Sequence, residues 1–120
     1  MSELVRELSP ELFRLVEQYN GFIIREERDQ ECFGNAEVQV EVGSLYLRAL
    51  RDRGVVSLDV SADDVNWYRL DLLLKVLNAQ KEMSLPMSPD DQIRGFEKKL
   101  GEIQAFFIRV ARFFKAVQAA

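Results

Sequence analysis

The segment AEVQVEVGSLYLRALRDRGVVSLDV, residues 36–60, is the most informative part of the chain because it alternates apolar and polar residues between two short turns. From Ala36 to Val42 an apolar residue occupies every second position, which predicts a strand with one buried and one wet face. Gly43-Ser44 and Asp52-Arg53-Gly54 have the composition of tight turns. The segment therefore predicts three strands of an antiparallel meander, at Ala36–Val42, Leu45–Arg51 and Val55–Val60.

The residues before this meander predict one helix and a further strand. Ser9-Pro10-Glu11 combines an N-cap serine, a proline at the first helical position and an acid in the first turn. Asn20-Gly21 is typical of a helix end, and Phe22 to Glu31 is predicted as the first strand of the sheet. The apolar residues before Ser9 fit either a short extra turn or a continuation of the helix with a bend at Pro10.

Two helices are predicted after the sheet. The first runs from about Trp67 to Leu77 with Trp67 anchored in the core, and residues 78–89 form a connecting loop. The second is one long helix from about Pro89 to Gln118, which would span roughly 45 Å. Its apolar residues follow alternating steps of three and four, a heptad pattern. They are Ile93, Phe96, Leu100, Ile103, Phe107, Val110, Phe114 and Val117.

These elements together predict an α+β fold in a single domain, residues 1–120: an N-terminal helix, a four-stranded antiparallel meander sheet, a short helix and a long C-terminal helix packed on one face of the sheet. The heptad pattern fits core packing, and it also fits pairing with another helix. Two Phe-Phe pairs near the C-terminus cannot all face one direction, which makes them the candidate interface of a homodimer. These residues are Phe106, Phe107, Phe113 and Phe114.

The composition argues against an enzyme. The 120 residues include no histidine and one cysteine, so there is no histidine-based catalysis, no internal disulfide and no usual Cys/His zinc site. No catalytic residue, metal site or cofactor is predicted. Arg48, Arg51 and Arg53 could form an anion clamp, or make ordinary cross-strand ion pairs. Asp63, Asp64 and Asp71 match no calcium loop, and Asp63 and Asp64 are explained by capping of a helix start.

The charge distribution is uneven. Sixteen basic and twenty acidic residues give a net charge of −4. Residues 1–44 hold ten acids against four bases, whereas residues 93–120 hold six bases against two acids. The acidic balance opposes nucleic-acid binding. The N-terminus lacks the pattern of a secretory signal and no segment resembles a membrane span, so a cytoplasmic protein without membrane contact is expected.

An acidic surface suits a basic protein partner, because complementary charge speeds capture. The candidate partner-binding residues are the acids of the first strand and of the wet face of the second. They are Glu26, Glu27, Asp29, Glu31, Glu37 and Glu41, with Gln39 between the last two.

Part of the chain resembles a known group of proteins. Phe33-Gly34-Asn35, Leu45-Tyr46-Leu47-Arg48, Arg51-Asp52-Arg53-Gly54 and Trp67 with Leu70 to Leu77 follow the layout "FGN … LR … RDRG … W … L". Over residues 33–77 this resembles small uncharacterised bacterial α+β proteins, some of which look like immunity proteins of polymorphic toxin systems. The resemblance implies a noncatalytic protein-binding domain, an immunity-type inhibitor that occludes a partner such as a basic toxin. The alternative is a structural or assembly protein that homodimerises through its last helix.

Overall fold

A four-strand antiparallel meander and a layer of helices make up the protein in the computed structural model, which describes residues 3–29, 34–77 and 87–119. The strands are β1 (Phe22–Asp29), β2 (Asn35–Val42), β3 (Leu45–Asp52), β4 (Val55–Ser61) and the two-residue β5 (Tyr68–Arg69). The helices are α1 (Glu3–Leu8), α2 (Pro10–Gln18), α3 (Leu70–Leu77), α4 (Pro89–Lys98) and α5 (Leu100–Ala119). The predicted α+β fold is confirmed.

The strands lie side by side in the order β1-β2-β3-β4-β5, and all pairs are antiparallel. Gly43-Ser44 joins β2 to β3 as a two-residue turn, with Gly43 at φ 62°. Arg53 and Gly54 join β3 to β4, and their φ angles of 53° and 80° are those of a type I′ turn. Both predicted hairpin turns are therefore confirmed, and because they are short they set the register of the central strands.

The two faces of the sheet differ in what they contact. Alternate residues of β2 from Ala36 to Val42 are buried in the core together with Phe96 of α4 and Ile103 of α5. The residues between them point away from the helices. We call this second side, which carries Glu37, Gln39 and Glu41, the open face.

Ser9 separates the two N-terminal helices, so the six-residue extra helix is the alternative that the structure shows. Ser9 is fully buried, and its Oγ accepts a hydrogen bond from the Leu12 amide at 3.1 Å. The same hydroxyl donates to Asp90 Oδ1 at 2.6 Å. Asp90 belongs to the second Ser-Pro-acid start, at α4. The two Ser-Pro-acid helix starts predicted from the sequence therefore lie next to each other. The Asp90 carboxylate stabilises the positive N-terminal ends of both α2 and α4.

Glu7 attaches α1 to the sheet. Its carboxylate accepts hydrogen bonds from Arg28 of β1 at 2.7 Å and from Arg51 of β3 at 2.8 Å. These two guanidiniums lower the pKa of Glu7 to about 2.

Two boundaries differ from the prediction. Trp67 does not begin a helix anchored in the core, because Tyr68 and Arg69 pair with the edge of β4 as β5 and the helix begins at Leu70. The long C-terminal helix is divided at Lys99, which has φ −106° and ψ 16°. Glycines on both sides of Lys99 lower helix propensity by about 1 kcal/mol each, which explains a break at this point. Residues 78–86 of the predicted connecting loop lie outside the described part of the chain.

The last part of α5 extends beyond the sheet and the other helices. Every side chain from Ala111 to Gln118 is exposed, and we call these residues the α5 extension. The molecule accordingly measures 48 × 33 × 28 Å.

Candidate protein-binding surfaces

The structure distributes the predicted acidic residues over both faces of the sheet. Glu27, Glu37 and Glu41 share the open face, because Glu27 pairs with Glu37 in the register between β1 and β2. Glu26 pairs with Val38 and therefore lies on the other face of the sheet. Asp29 ends β1 and pairs with Asn35 of β2. Glu31 lies outside the described residues.

Arg25 lies among these acids and partly neutralises them. Its Nη2 is 2.8 Å from Glu27 Oε1, and its Nε is 3.6 Å from Glu37 Oε2. The hydrogen bond to Glu27 raises the pKa of Arg25 above its ordinary value. Both partners of the shorter pair are more than half exposed, so each such contact contributes only about 0–1 kcal/mol. Glu41 has no ion pair with any described residue.

Three acids that the sequence reading did not assign to this surface also lie on the open face. Asp59 of β4 binds Arg48 of β3, with Arg48 Nη2 2.9 Å from Asp59 Oδ2. Asp52 accepts a hydrogen bond from Asn35 at 3.3 Å. Asp64 accepts one from the Gln39 side chain. The two short turns fix the register, so the positions of Asp52 and Asp59 could have been found from the alternation alone.

The described charges of the open face are therefore mainly negative. Six carboxylates stand against three guanidiniums, which leaves a net charge of −3 on this side of the sheet. The carboxylates are those of Glu27, Glu37, Glu41, Asp52, Asp59 and Asp64, and the guanidiniums are those of Arg25, Arg48 and Arg69.

A half-buried tryptophan lies on the same face beside one of these arginines. The Arg48 guanidinium carbon is 4.3 Å from the centre of a Trp67 ring, a cation–π contact. The loop that carries Trp67 is ordered by Asp63, whose carboxylate accepts hydrogen bonds from the Asn66 and Val65 amides. These bonds hold the pKa of Asp63 well below its ordinary value. Trp67 thus has a fixed position next to the acidic surface.

The three arginines proposed as an anion clamp do not converge. Arg48 lies on the open face, whereas Arg51 points to the helix side and binds Glu7 and the carbonyl of Gly34. Arg53 belongs to the turn between β3 and β4. The alternative prediction, a cross-strand ion pair, is confirmed for Arg48 and Asp59.

Asp63 and Asp64 do not cap a helix, because α3 begins at Leu70. Asp71 binds Arg69 with an N–O distance of 2.7 Å, and Asp63 organises its own loop. In the described ranges, no group of three or more Asp, Glu, His or Cys residues could hold a metal ion.

The four phenylalanines of α5 separate into two pairs with different surroundings. Phe107 is 8% exposed, and with Phe106 it packs edge-on against Tyr68 at ring-centre distances of 5.5 and 5.8 Å. Phe113 and Phe114 lie in the α5 extension and are 65% and 53% exposed. The first half of the predicted apolar stripe is therefore core, and the second half is surface.

Two shallow apolar grooves border the aromatic cluster. One, of 230 Å³, lies between α5 and the loop after β4, where Val110 and Phe114 face Ala62 and Asp63. The other, also 230 Å³, is lined by Phe106 and by Leu72 and Val76 of α3. They lie on either side of Tyr68 and connect the core to the exposed stripe.

Comparisons with protein-family models, curated proteins and solved structures give no match to this chain. The resemblance over residues 33–77 therefore stays a prediction. Among the described helices, none combines the length and apolar character needed to cross a membrane.

Proposed function

We propose that this chain is a noncatalytic protein-binding domain whose open face binds a basic region of another protein. The observation that carries the proposal is the excess of six carboxylates over three guanidiniums on that face. Charge complementarity of this kind raises association rates and suppresses wrong partners. The resemblance over residues 33–77 supports the more specific form, an immunity-type inhibitor that occludes a toxin.

Within the open face, the residues divide into an aromatic centre and acidic ends. Trp67 and Arg48 are of the types that most often dominate binding energies, and here they hold one another in place. Glu41 and Asp52 lie at opposite ends of the strands and have no ion pair with a described residue, so they are available to a basic partner. Binding on such a surface weakens as salt rises, because exposed charges are screened.

The experiment compares three tagged forms of the protein as baits in its own source cells, with mass spectrometry of the bound proteins. The wild type is compared with Glu41→Lys/Asp52→Lys on the open face. The matched control, Glu3→Lys/Glu17→Lys, makes the same charge change on exposed positions of the N-terminal helices. We expect one stoichiometric basic partner with the wild type and the control, and at least tenfold less of it with the open-face variant.

Two outcomes would contradict the proposal: no stoichiometric partner with the wild type, or equal recovery of the partner with both variants. The inhibitor form has a further test, in which the captured protein is expressed alone and together with this chain. If the captured protein is toxic and the chain restores growth, the inhibitor form holds. If a bound partner is harmless, the inhibitor form is wrong and the binding function stands.

A further inference from the structure

The α5 extension carries a stripe of exposed apolar side chains. Phe113, Phe114 and Val117 are each more than half exposed. At roughly 150–250 Å² per aromatic side chain, the two rings alone expose roughly 200 Å². The extension has eight residues, and isolated helices of that length are marginal in water. Contact with another surface would stabilise it.

The spacing of the apolar side chains along the stripe indicates which surface covers them. Val110, Phe113, Phe114 and Val117 are separated by three, one and three positions, so the pattern reads the same in both directions. A two-fold axis between Phe113 and Phe114 would therefore bring Val110 of one copy opposite Val117 of the other. It would also bring each Phe113 opposite a Phe114. Self-complementarity of this kind is what an interface between two identical chains requires.

We infer that two copies of this chain form a homodimer in which the α5 extensions pack antiparallel. The proposal uses a different surface from the open face and does not depend on the function proposed above.

The basic residues near the stripe do not oppose the antiparallel contact. From Ile103 to Ala119 the helix carries Arg109, Arg112 and Lys115 and no acid. At about 3.6 residues per turn, Arg112 and Lys115 lie on the side of the helix opposite the stripe from Val110 to Val117. They therefore stay in solvent when two stripes pack together.

The apolar area available at the α5 extension limits the expected affinity of the dimer. A stable interface buries about 800 Å² on each partner, and the two exposed rings supply only part of this. The groove lined by Phe107, Val110 and Phe114 extends the apolar surface from the stripe toward the loop after β4. We therefore expect a weak dimer with a dissociation constant on the order of micromolar.

Sedimentation velocity of the full chain at concentrations from about 1 to 100 µM, bracketing this constant, tests the proposal. We expect a shift from monomer to dimer for the wild type and monomer throughout for Phe113→Glu. The control is Ile108→Glu, which places the same charge on the same helix outside the stripe, at a side chain that is 54% exposed. It should dimerise like the wild type.

Circular dichroism confirms that each variant is folded, as expected at exposed positions. The dimer is overturned if the wild type stays monomeric or if Ile108→Glu is as disruptive as Phe113→Glu.

Two further measurements distinguish the dimer from binding to a membrane surface and from the partner binding proposed for the open face. A basic apolar helix can also lie on a membrane, so the wild type is mixed with vesicles of anionic phosphatidylglycerol. Vesicle binding by a protein that stays monomeric in solution would replace the dimer with a membrane surface. Phe113→Glu should still capture the partner of the open face, and Glu41→Lys/Asp52→Lys should still dimerise, so the two proposals fail separately.

Discussion

The open face and the α5 extension are both exposed, but their side chains are satisfied to different degrees. On the open face, Arg25 binds Glu27, Arg48 binds Asp59, and Trp67 covers Arg48. On the extension, Phe113 packs only against its neighbour Phe114, at 5.9 Å between ring centres, as far as the described residues show. The first surface is partly neutralised by contacts within the monomer, whereas the aromatic rings of the second remain mostly exposed to water.

The difference shows what exposure means for each type of side chain. Charged residues at a surface keep most of their hydration, so an uncovered acidic face costs the monomer little. Exposed aromatic rings gain from any contact that removes them from water. An acidic face therefore acts through the rate and selectivity of encounter, and an aromatic stripe through the stability of the complex that forms.

The largest expected effect concerns two phenylalanines seven residues apart on the same side of α5. Phe107→Ala removes a ring that is 8% exposed and should lower the free energy of unfolding by about 3–5 kcal/mol. Phe114→Ala removes a ring that is 53% exposed and should change it by less than about 0.5 kcal/mol. Urea denaturation is measured well below the concentration at which dimers form. Equal losses in the two variants would show that the extension belongs to the core.

The next effect compares two ion pairs within the open face. The Arg48–Asp59 pair is mostly buried, with 28% and 17% of the side chains exposed, and should show a coupling energy of about 1 kcal/mol in a double-mutant cycle. The Arg25–Glu27 pair is 56% and 58% exposed and should show at most about 0.5 kcal/mol. The variants are Arg48→Met with Asp59→Asn, and Arg25→Met with Glu27→Gln. A stronger coupling at the exposed pair would reverse this ranking.

A smaller effect compares two glycines on either side of the helix break. Gly101→Ala adds a methyl group with no atom within 4 Å, so higher helix propensity should raise the free energy of unfolding by about 0.5–1 kcal/mol. At Gly95 the added Cβ would lie 2.9 Å from Leu74 Cδ1, so Gly95→Ala should be less stable than Gly101→Ala. Thermal unfolding of both variants decides this. If Gly95→Ala is the more stable variant, α4 is packed less closely than the structure shows.

The strands of the fold could be predicted from the sequence because their signals are local. Alternation in β2 and the short turns at Gly43 and Gly54 specify the meander and its register. The strand β5 could not be predicted, because Tyr68 and Arg69 fit a helical pattern and become a strand only by pairing with the edge of β4. Their assignment depends on a tertiary contact between distant residues.

The candidate surfaces could be predicted from the sequence where they depend on local patterns. Glu37 and Glu41 follow from alternation within one strand, whereas the position of Glu26 on the other face depends on a register shift between Ile23 and Arg25. An irregularity of this kind turns the following residues to the other face. On α5, the spacing identified the apolar stripe. Core packing along this stripe ends after Val110. That position depends on how far the sheet and the other helices extend beside α5, which is a tertiary property.

The smallest effect concerns pH and the helix side of the sheet. Arg28 and Arg51 lower the pKa of Glu7 to about 2 in the folded protein, from an ordinary value of 4.5. The unfolded chain therefore binds this proton first as the pH falls, so the contribution of Glu7 to stability is present above about pH 4.5 and is lost towards pH 2.

Glu7→Gln should be less stable than the wild type at neutral pH, and the difference should shrink as the pH falls to about 2. Urea unfolding at several pH values measures it, with the exposed Glu17→Gln as the control that should show no such convergence. The Arg25–Glu27 pair on the open face offers a contrast, because both of its side chains are more exposed than Glu7 and Arg51. A gap between Glu7→Gln and wild type that stays constant with pH would mean that Glu7 acts through packing of α1. The charge on its carboxylate would then make no contribution.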